Sequence, residues 1–350
     1  ATGYLITIKI ALVMRIQVPK NIDFLLIVRG LAAISVIYWH LGGYVDRDEY
    51  FASFFIIPGR LAVWIFFMMS GYLIGYGLIY GRYQSTFKSI RNFWFNRLLR
   101  LYPIFLTISV LAIFISKPVI NFDFISKELL MIQFSHDYSL NGVFWTLGVE
   151  AQFYLLAPLM VFGFRSIFGK YSKNWYVLYL LTLIPLMVVL IWKQDFLIAL
   201  DLRNVIGNLS QFAVGIVMAG YKNRILSIGV LKNNNVLFVM AILTGLFIII
   251  FNHNYGINII TIILSHIIGI GLIALHILLE VRKIYANFFV KILMFLGVLS
   301  YGIYAWHGLL GINNLLMDNL LLHTIGAIVL AYITYKFIEQ PILKFKKYEK

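Results

Sequence analysis

The chain has 350 residues, 61% of them apolar and only 12% charged, at a mean hydropathy of +0.89. Soluble domains run nearer half apolar and a quarter charged, so an ordinary soluble fold is excluded. The net charge is +15, from 29 Lys and Arg against 14 Asp and Glu. Those basic residues fall in the gaps between apolar runs, which excludes a nucleic-acid-binding face and matches the loops of a multi-pass membrane protein. Cysteine is absent, which removes thiolate nucleophiles, thiolate metal sites, disulfides and palmitoylation.

Residues 1–20 form an N-terminal segment. Its apolar part is broken by Lys9 and Arg15 and has no small-residue cleavage site, so it does not read as a signal peptide. The chain opens on Ala1 and its first Met is Met14, which leaves residues 1–13 as either native sequence or an artefact of the gene start. From 21 to 350 the chain reads as one membrane-embedded domain. About 20 helical residues cross a hydrocarbon core of about 30 Å. Ten runs meet that need: 24–45, 58–80, 98–116, 144–164, 175–192, 203–220, 235–251, 258–279, 289–311 and 320–338. The expected fold is therefore an all-α, polytopic bundle with both termini on one side. That side is expected to be the cytoplasm, because its segments, taken with the adjoining span ends, hold 22 of the 29 basic residues and the outward loops with theirs hold six. The remaining basic residue, Arg29, lies inside the first span.

Glycines four apart, Gly71 with Gly75 and Gly77 with Gly81, are expected to let helices approach closely. Gly269, Gly271 and Ala274 spell a nucleotide-binding pattern, but inside an apolar span with no preceding strand the pattern carries no such meaning.

Ionisable and polar groups at membrane depth are costly and mark candidate sites. In the first span Arg29 and His40 stand eleven residues apart, which returns them to one helix face about 16 Å apart along the axis. They suit a long anionic ligand entering from inside; equally, the histidine can bond a neighbouring helix and the arginine can snorkel to headgroups. Before the third span, Arg82, Lys88, Arg91, Arg97 and Arg100 occur without an acid. Arg97 and Arg100 share a face and match phosphate oxygens, though a topogenic loop holding lipid headgroups explains the charge as well. The fourth span opens on Trp145 and carries Glu150, the only acid well inside a span, as either a structural ion pair or a functional group. In the ninth span Ser300, Tyr304 and His307 share a face beside Tyr301, either as helix-to-helix hydrogen bonds or as a wall of a reaction chamber. His136, His253 and His323 lie in or beside outward loops, and His266 and His276 sit in the eighth span without a recognisable companion.

These residues resemble the motifs of the acyltransferase-3 family of integral-membrane acyltransferases. The run from Arg29 through Ala32 and Val36 to His40 resembles its RxxAxxxVxxxH signature, and Phe66–Ile74 its FFxxSG(F/Y)LI segment. Arg97 to Pro103 is similar to RxxRLxP, Trp145 to Tyr154 to W(S/T)LxxExxFY, and Ser300 to His307 to SYxxYxxH. Glu339-Gln340-Pro341 looks like the closing ExP. The resemblance implies transfer of an acyl group from acyl-CoA, usually acetyl-CoA, to a sugar hydroxyl of a polysaccharide or lipid-linked glycan such as lipopolysaccharide O-antigen. It implies His40 as the catalytic residue with Glu150 in support, and Arg29, Arg97 and Arg100 as contacts to the CoA phosphates. Trp145, Ser300, Tyr301, Tyr304 and His307 are further site candidates. No metal and no nucleic acid are expected.

Two mechanisms stay open: His40 as general base toward the acceptor hydroxyl, or as the carrier of a covalent acyl group. Some members of the family carry an extra extracytoplasmic domain. Ending at Lys350, this chain is expected to act alone or to pass its acyl group to a separate partner protein. A transporter or flippase for a glycan or acyl carrier is the rival reading, although no paired halves with broken helices are visible.

Overall fold

The computed structural model describes residues 18–41, 57–131, 140–169, 173–192, 203–253, 259–311 and 319–348. Within them run ten helices of fifteen residues or more. The first five are α1 (Phe24–Leu41), α2 (Gly59–Ile79), α3 (Phe87–Ser116), α4 (Trp145–Phe168) and α5 (Trp175–Trp192). The second five are α6 (Val205–Ser227), α7 (Asn234–His253), α8 (Ile259–Glu280), α9 (Phe288–Leu310) and α10 (Leu320–Thr334). Among the described residues there is no strand, only a single bridge between Asn21 and Tyr285. The all-α bundle expected from the apolar runs is what forms. Most of the N-terminal segment, and His136, lie outside the described residues.

Among the described residues, eight helices are long and apolar enough to cross a membrane, α10 being counted with its continuation to Phe345. Their outward faces carry large exposed apolar side chains such as Phe114, Leu159, Phe238 and Leu321, as a hydrocarbon environment requires. The helix α6 is not among the eight, because it buries Asn208, Ser210 and Gln211 along its length. Two of these are paired: Asn208 accepts from Trp64 Nε1 at 3.0 Å, and Gln211 Nε2 donates to Ser265 Oγ at 3.2 Å. A buried polar side chain is tolerated once its hydrogen bonds are made inside the bundle.

One boundary differs from the apolar reading. The helix α3 starts at Phe87, well before the apolar run at 98, with Thr86 Oγ1 accepting from the Ser89 N–H at 3.2 Å. Hydropathy marks where a chain is dry, whereas a helix needs only its backbone bonds and a cap, so the basic turns Lys88–Arg97 are helical as well. At the other end of the chain α10 passes into a π turn over Tyr335–Glu339.

Glycine sets the closest helix spacings. A Cβ on Gly215 of α6 would lie 2.0 Å from the Met68 carbonyl oxygen of α2, and one on Gly71 would lie 2.1 Å from that of Phe212. The helices α1 and α9 meet the same way, with Gly30 against the Leu293 carbonyl at 2.5 Å and Gly297 against that of Leu26 at 1.9 Å. Gly75 also packs on Ile216, so the first expected pair makes its contact. The second does not: α2 ends at Ile79, Gly77 touches only side chains of the following turn, and Gly81 sits in that turn at φ +94. Gly269 and Gly271 pack on Met68 and Thr244 as helix contacts.

Because backbone lies where a methyl would go, Gly215→Ala is expected to force α2 and α6 apart at a cost of about 1–3 kcal/mol. Gly245→Ala, at a position with nothing within 4 Å, is expected to be neutral. Thermal unfolding of the two variants in detergent checks the contrast.

Candidate functional site

The α1–α9 crossing decides what faces what. Both helices start at the end of the bundle where the Ile22 N–H donates to the Ile284 carbonyl at 2.8 Å and the Ala286 N–H to that of Lys20 at 3.0 Å. They therefore run parallel, and their polar residues pair in register. Arg29 Nε donates to Ser300 Oγ at 3.3 Å; further along, His40 Nδ1 and His307 Nε2 share a hydrogen bond of 3.0 Å. The two imidazoles are stacked, 5.2 Å apart and 11° from parallel.

Two cavities open beside this helix pair, where α2 and α4 also supply lining residues. The first, of about 120 Å³, is lined by Arg29, Arg97 and Arg100 together with Ser70, Thr146, Glu150, Tyr154, Ser300 and Tyr301. Three guanidiniums face one carboxylate there. Glu150 Oε1 is held by Tyr154 Oη at 2.5 Å and by Ser70 Oγ at 2.8 Å. It is thus engaged away from the histidine pair. Arg97 lies over the rings of Phe93 and Tyr154 at 5.5 and 5.7 Å, and its buried Nε has no hydrogen-bond partner. Arg100 is ion-paired with buried Glu339 and lies 5.6 Å over Tyr301, whose hydroxyl donates to the Leu101 carbonyl at 2.5 Å. A dry guanidinium with an unmet N–H suits a polyanionic ligand, because phosphate oxygens accept in the geometry the fork offers. CoA fits this donor set on that observation.

The second cavity, of about 170 Å³, is lined by Trp39, His40, Arg60, Trp64, Trp145 and Arg203 among others. Arg203 lies over the Trp145 ring at 5.8 Å. Val63 and Tyr304 line both cavities and so form the wall between them. The Tyr304 hydroxyl is tied into that wall, within 3.1 Å of Thr146 Oγ1 and 3.2 Å of the Val143 carbonyl.

The structure thus separates the sequence candidates into two groups. Arg29, Arg97, Arg100, Glu150, Ser300 and Tyr301 surround one cavity, His40 and Trp145 the other, with Tyr304 between them and His307 behind His40. Sequence reasoning passed over Ser70, Tyr154 and Glu339 as site residues, although each lies inside a quoted motif. A polar residue within an apolar run was the available signal. Arg60 and Arg203 were counted only as loop charges. Of the remaining histidines, His266 Nδ1 shares a 2.9 Å hydrogen bond with Tyr179 Oη, and His276 lies 3.9 Å from Asp23 and against the Tyr72 ring. Among the described residues no group of three or more His, Asp or Glu is placed to hold a metal.

A family model described as an acyltransferase domain, that of the acyltransferase-3 family, matches residues 22–336. The chain belongs to that family. It is 26% identical over 380 residues to the O-acetyltransferase OatA of Staphylococcus aureus, covering 93% of this chain and 58% of that protein. It is 24% identical over 372 residues to the peptidoglycan O-acetyltransferase OatA of Listeria monocytogenes, covering 90% and 55%. An uncharacterized protein of Haemophilus influenzae is 31% identical over 145 residues, 36% of this chain and 57% of its own. The chain therefore spans a little over half the length of these relatives. No solved structure matches it.

Removing the carboxylate from buried Glu339 leaves the Arg100 charge without its partner. Glu339→Gln is expected to lower stability by about 2 kcal/mol, less than a fully buried pair loses because Arg100 keeps some exposure. The double variant Arg100→Gln/Glu339→Gln should recover part of that loss in thermal unfolding.

Proposed function

We propose that the chain transfers an acyl group, acetyl by preference, from acyl-CoA to a sugar hydroxyl of a cell-envelope polysaccharide. The observation that carries this reading is the pair of cavities meeting at Tyr304 and Val63, one cationic and the other holding His40. Arg29, Arg97 and Arg100 hold the phosphates of the donor, and the acyl thioester extends toward the Tyr304 wall. The acceptor glycan enters the second cavity, where the indoles of Trp39, Trp64 and Trp145 offer apolar faces for sugar rings. Peptidoglycan, named for the Listeria relative, and lipopolysaccharide O-antigen are the two acceptors to assay first.

His40 acts as general base. With the shared proton on His40 Nδ1, donated to His307 Nε2, the lone pair of His40 Nε2 takes the proton of the acceptor hydroxyl as its oxygen attacks the thioester carbonyl. The tetrahedral intermediate then expels CoA thiolate, which recovers that proton from His40. Placement of His40 beyond the Tyr304 wall favours a second route, in which Nε2 itself carries the acyl group from one cavity to the other. Glu150 acts through the first cavity, by holding Ser70 and Tyr154 in place.

The excess of basic residues at the end bearing Arg82, Lys222, Arg282 and Lys346 supports a cytoplasmic placement of that end in the plasma (inner) membrane. Residues 21–350 work as one membrane-embedded domain, with membrane lipids around it and, where the glycan is out of reach, a separate acyl-accepting partner protein.

Membranes containing the chain and labelled acetyl-CoA test the reading. Label is expected in glycan, and His40→Ala is expected to reduce it by about 10²- to 10⁴-fold at equal expression. An acetylated protein trapped by acid quench in the parent but not in His40→Ala identifies the covalent route. Undiminished transfer by His40→Ala overturns the role given to His40, no label in glycan from the parent overturns the proposal, and substrate uptake without acetyl transfer moves the transporter reading ahead.

A further inference from the structure

One buried amide joins segments with basic residues that stand beside Arg97 but do not line the first cavity. Asn96, fully buried, donates from Nδ2 to Tyr83 Oη at 2.9 Å and to the Lys347 carbonyl at 2.6 Å, while its Oδ1 accepts from the Lys347 N–H at 2.8 Å. Three segments are joined at this side chain: the turn before α3, α3 itself and the tail after α10. In each, the residue next in sequence is basic: Arg82 beside Tyr83, Arg97 beside Asn96 and Lys346 beside Lys347. The Arg100–Glu339 ion pair ties the tail to α3 a second time, and Tyr348 lies 6.1 Å from the Tyr83 ring.

Bringing like charges together at a partly buried surface raises their energy unless an anion joins them. The cost is visible at Lys346, whose ammonium is pushed down to about 8 by burial and by Arg100, Arg97 and Arg82. The buried, unmet Nε of Arg97 belongs to the same cluster. Glu339, the carboxylate paired there, is already engaged by Arg100.

We propose that Arg82, Arg97 and Lys346, brought together by Asn96, form a phosphate-ester site at the rim of the arginine-lined cavity. The inference rests on the acyl-CoA reading for its first source of phosphate, the 3′-phosphate of CoA. An anionic phospholipid headgroup offers the same chemistry, and the test separates the two. Lys346 is the diagnostic residue, since it lies in the tail and lines neither cavity.

The full chain in phosphatidylcholine nanodiscs, with and without phosphatidylglycerol, is titrated calorimetrically with CoA and with 3′-dephospho-CoA. For Lys346→Gln, CoA is expected to bind about tenfold more weakly and 3′-dephospho-CoA less than about twofold more weakly, the loss of one charge-assisted contact. Lys346→Arg keeps the charge and is expected to restore CoA binding, which also shows that the tail still docks. Between pH 7 and 9 the parent's affinity for CoA is expected to fall as Lys346 loses its proton, because the phosphate is already dianionic. In Lys346→Arg that fall should disappear. The charged groups around Lys346 are Arg82, Arg97 and Arg100 across from it and Lys344 and Lys347 on its own segment, and all are unchanged in this control.

Unchanged CoA binding by Lys346→Gln, together with loss of the thermal stabilisation conferred by phosphatidylglycerol, assigns the site to a lipid headgroup. Equal weakening of CoA and 3′-dephospho-CoA overturns the site, and so does no change in either arm. If the parent neither binds CoA nor transfers acetyl, the acyl-CoA reading fails on its own and the lipid arm alone decides the site.

Discussion

The parallel crossing of α1 and α9 at Gly30 and Gly297 is the constraint on which the rest depends. With no Cβ at either position the backbones touch, and no side chain can slide the two helices past each other without a clash. Register follows from that contact. Arg29 reaches Ser300 on one side of the crossing, and about three turns further along His40 reaches His307. Separate spans of the sequence are thereby converted into a single column of polar contacts through an apolar bundle.

Around that column the bundle holds more positive than negative charge in a place where charge is expensive. The compensation is distributed. Glu339 pairs with Arg100, the rings of Phe93 and Tyr154 accept Arg97, and Glu150 is held at the cavity surface by two hydroxyls. What remains uncompensated faces the first cavity and its rim, which supports the proposed reading of a phosphate-bearing donor there. Tyr304 then divides that cationic space from the one holding His40, so donor and acceptor chemistry need not share a single chamber.

Much of this was legible before any coordinates. The ten apolar runs correspond to the ten helices, and the polar residues interrupting them mark the two cavities. Each is readable because the bilayer forbids unpaired polar groups, so every exception carries information. The reading failed where apolarity was the wrong measure. Lys88–Arg97 is helical despite its charge, Gly81 belongs to a turn, and buried Glu339 fell one residue beyond the last run. In each case backbone geometry or a distant partner outweighed local hydropathy.

Composition and the spacing of polar exceptions, by themselves, determined the class of protein, the approximate spans and the identity of most residues around the site. Only the tertiary structure decided which of them meet. A helix face shows that Arg29 and His40 are aligned, but not that Tyr304 stands between their cavities, that His40 pairs with His307, or that Glu150 turns to Ser70 and Tyr154. Those are contacts between residues from 4 to 267 positions apart. They depend on how closely and in what register the helices pack, which the glycine crossings set and which periodicity along one helix does not encode.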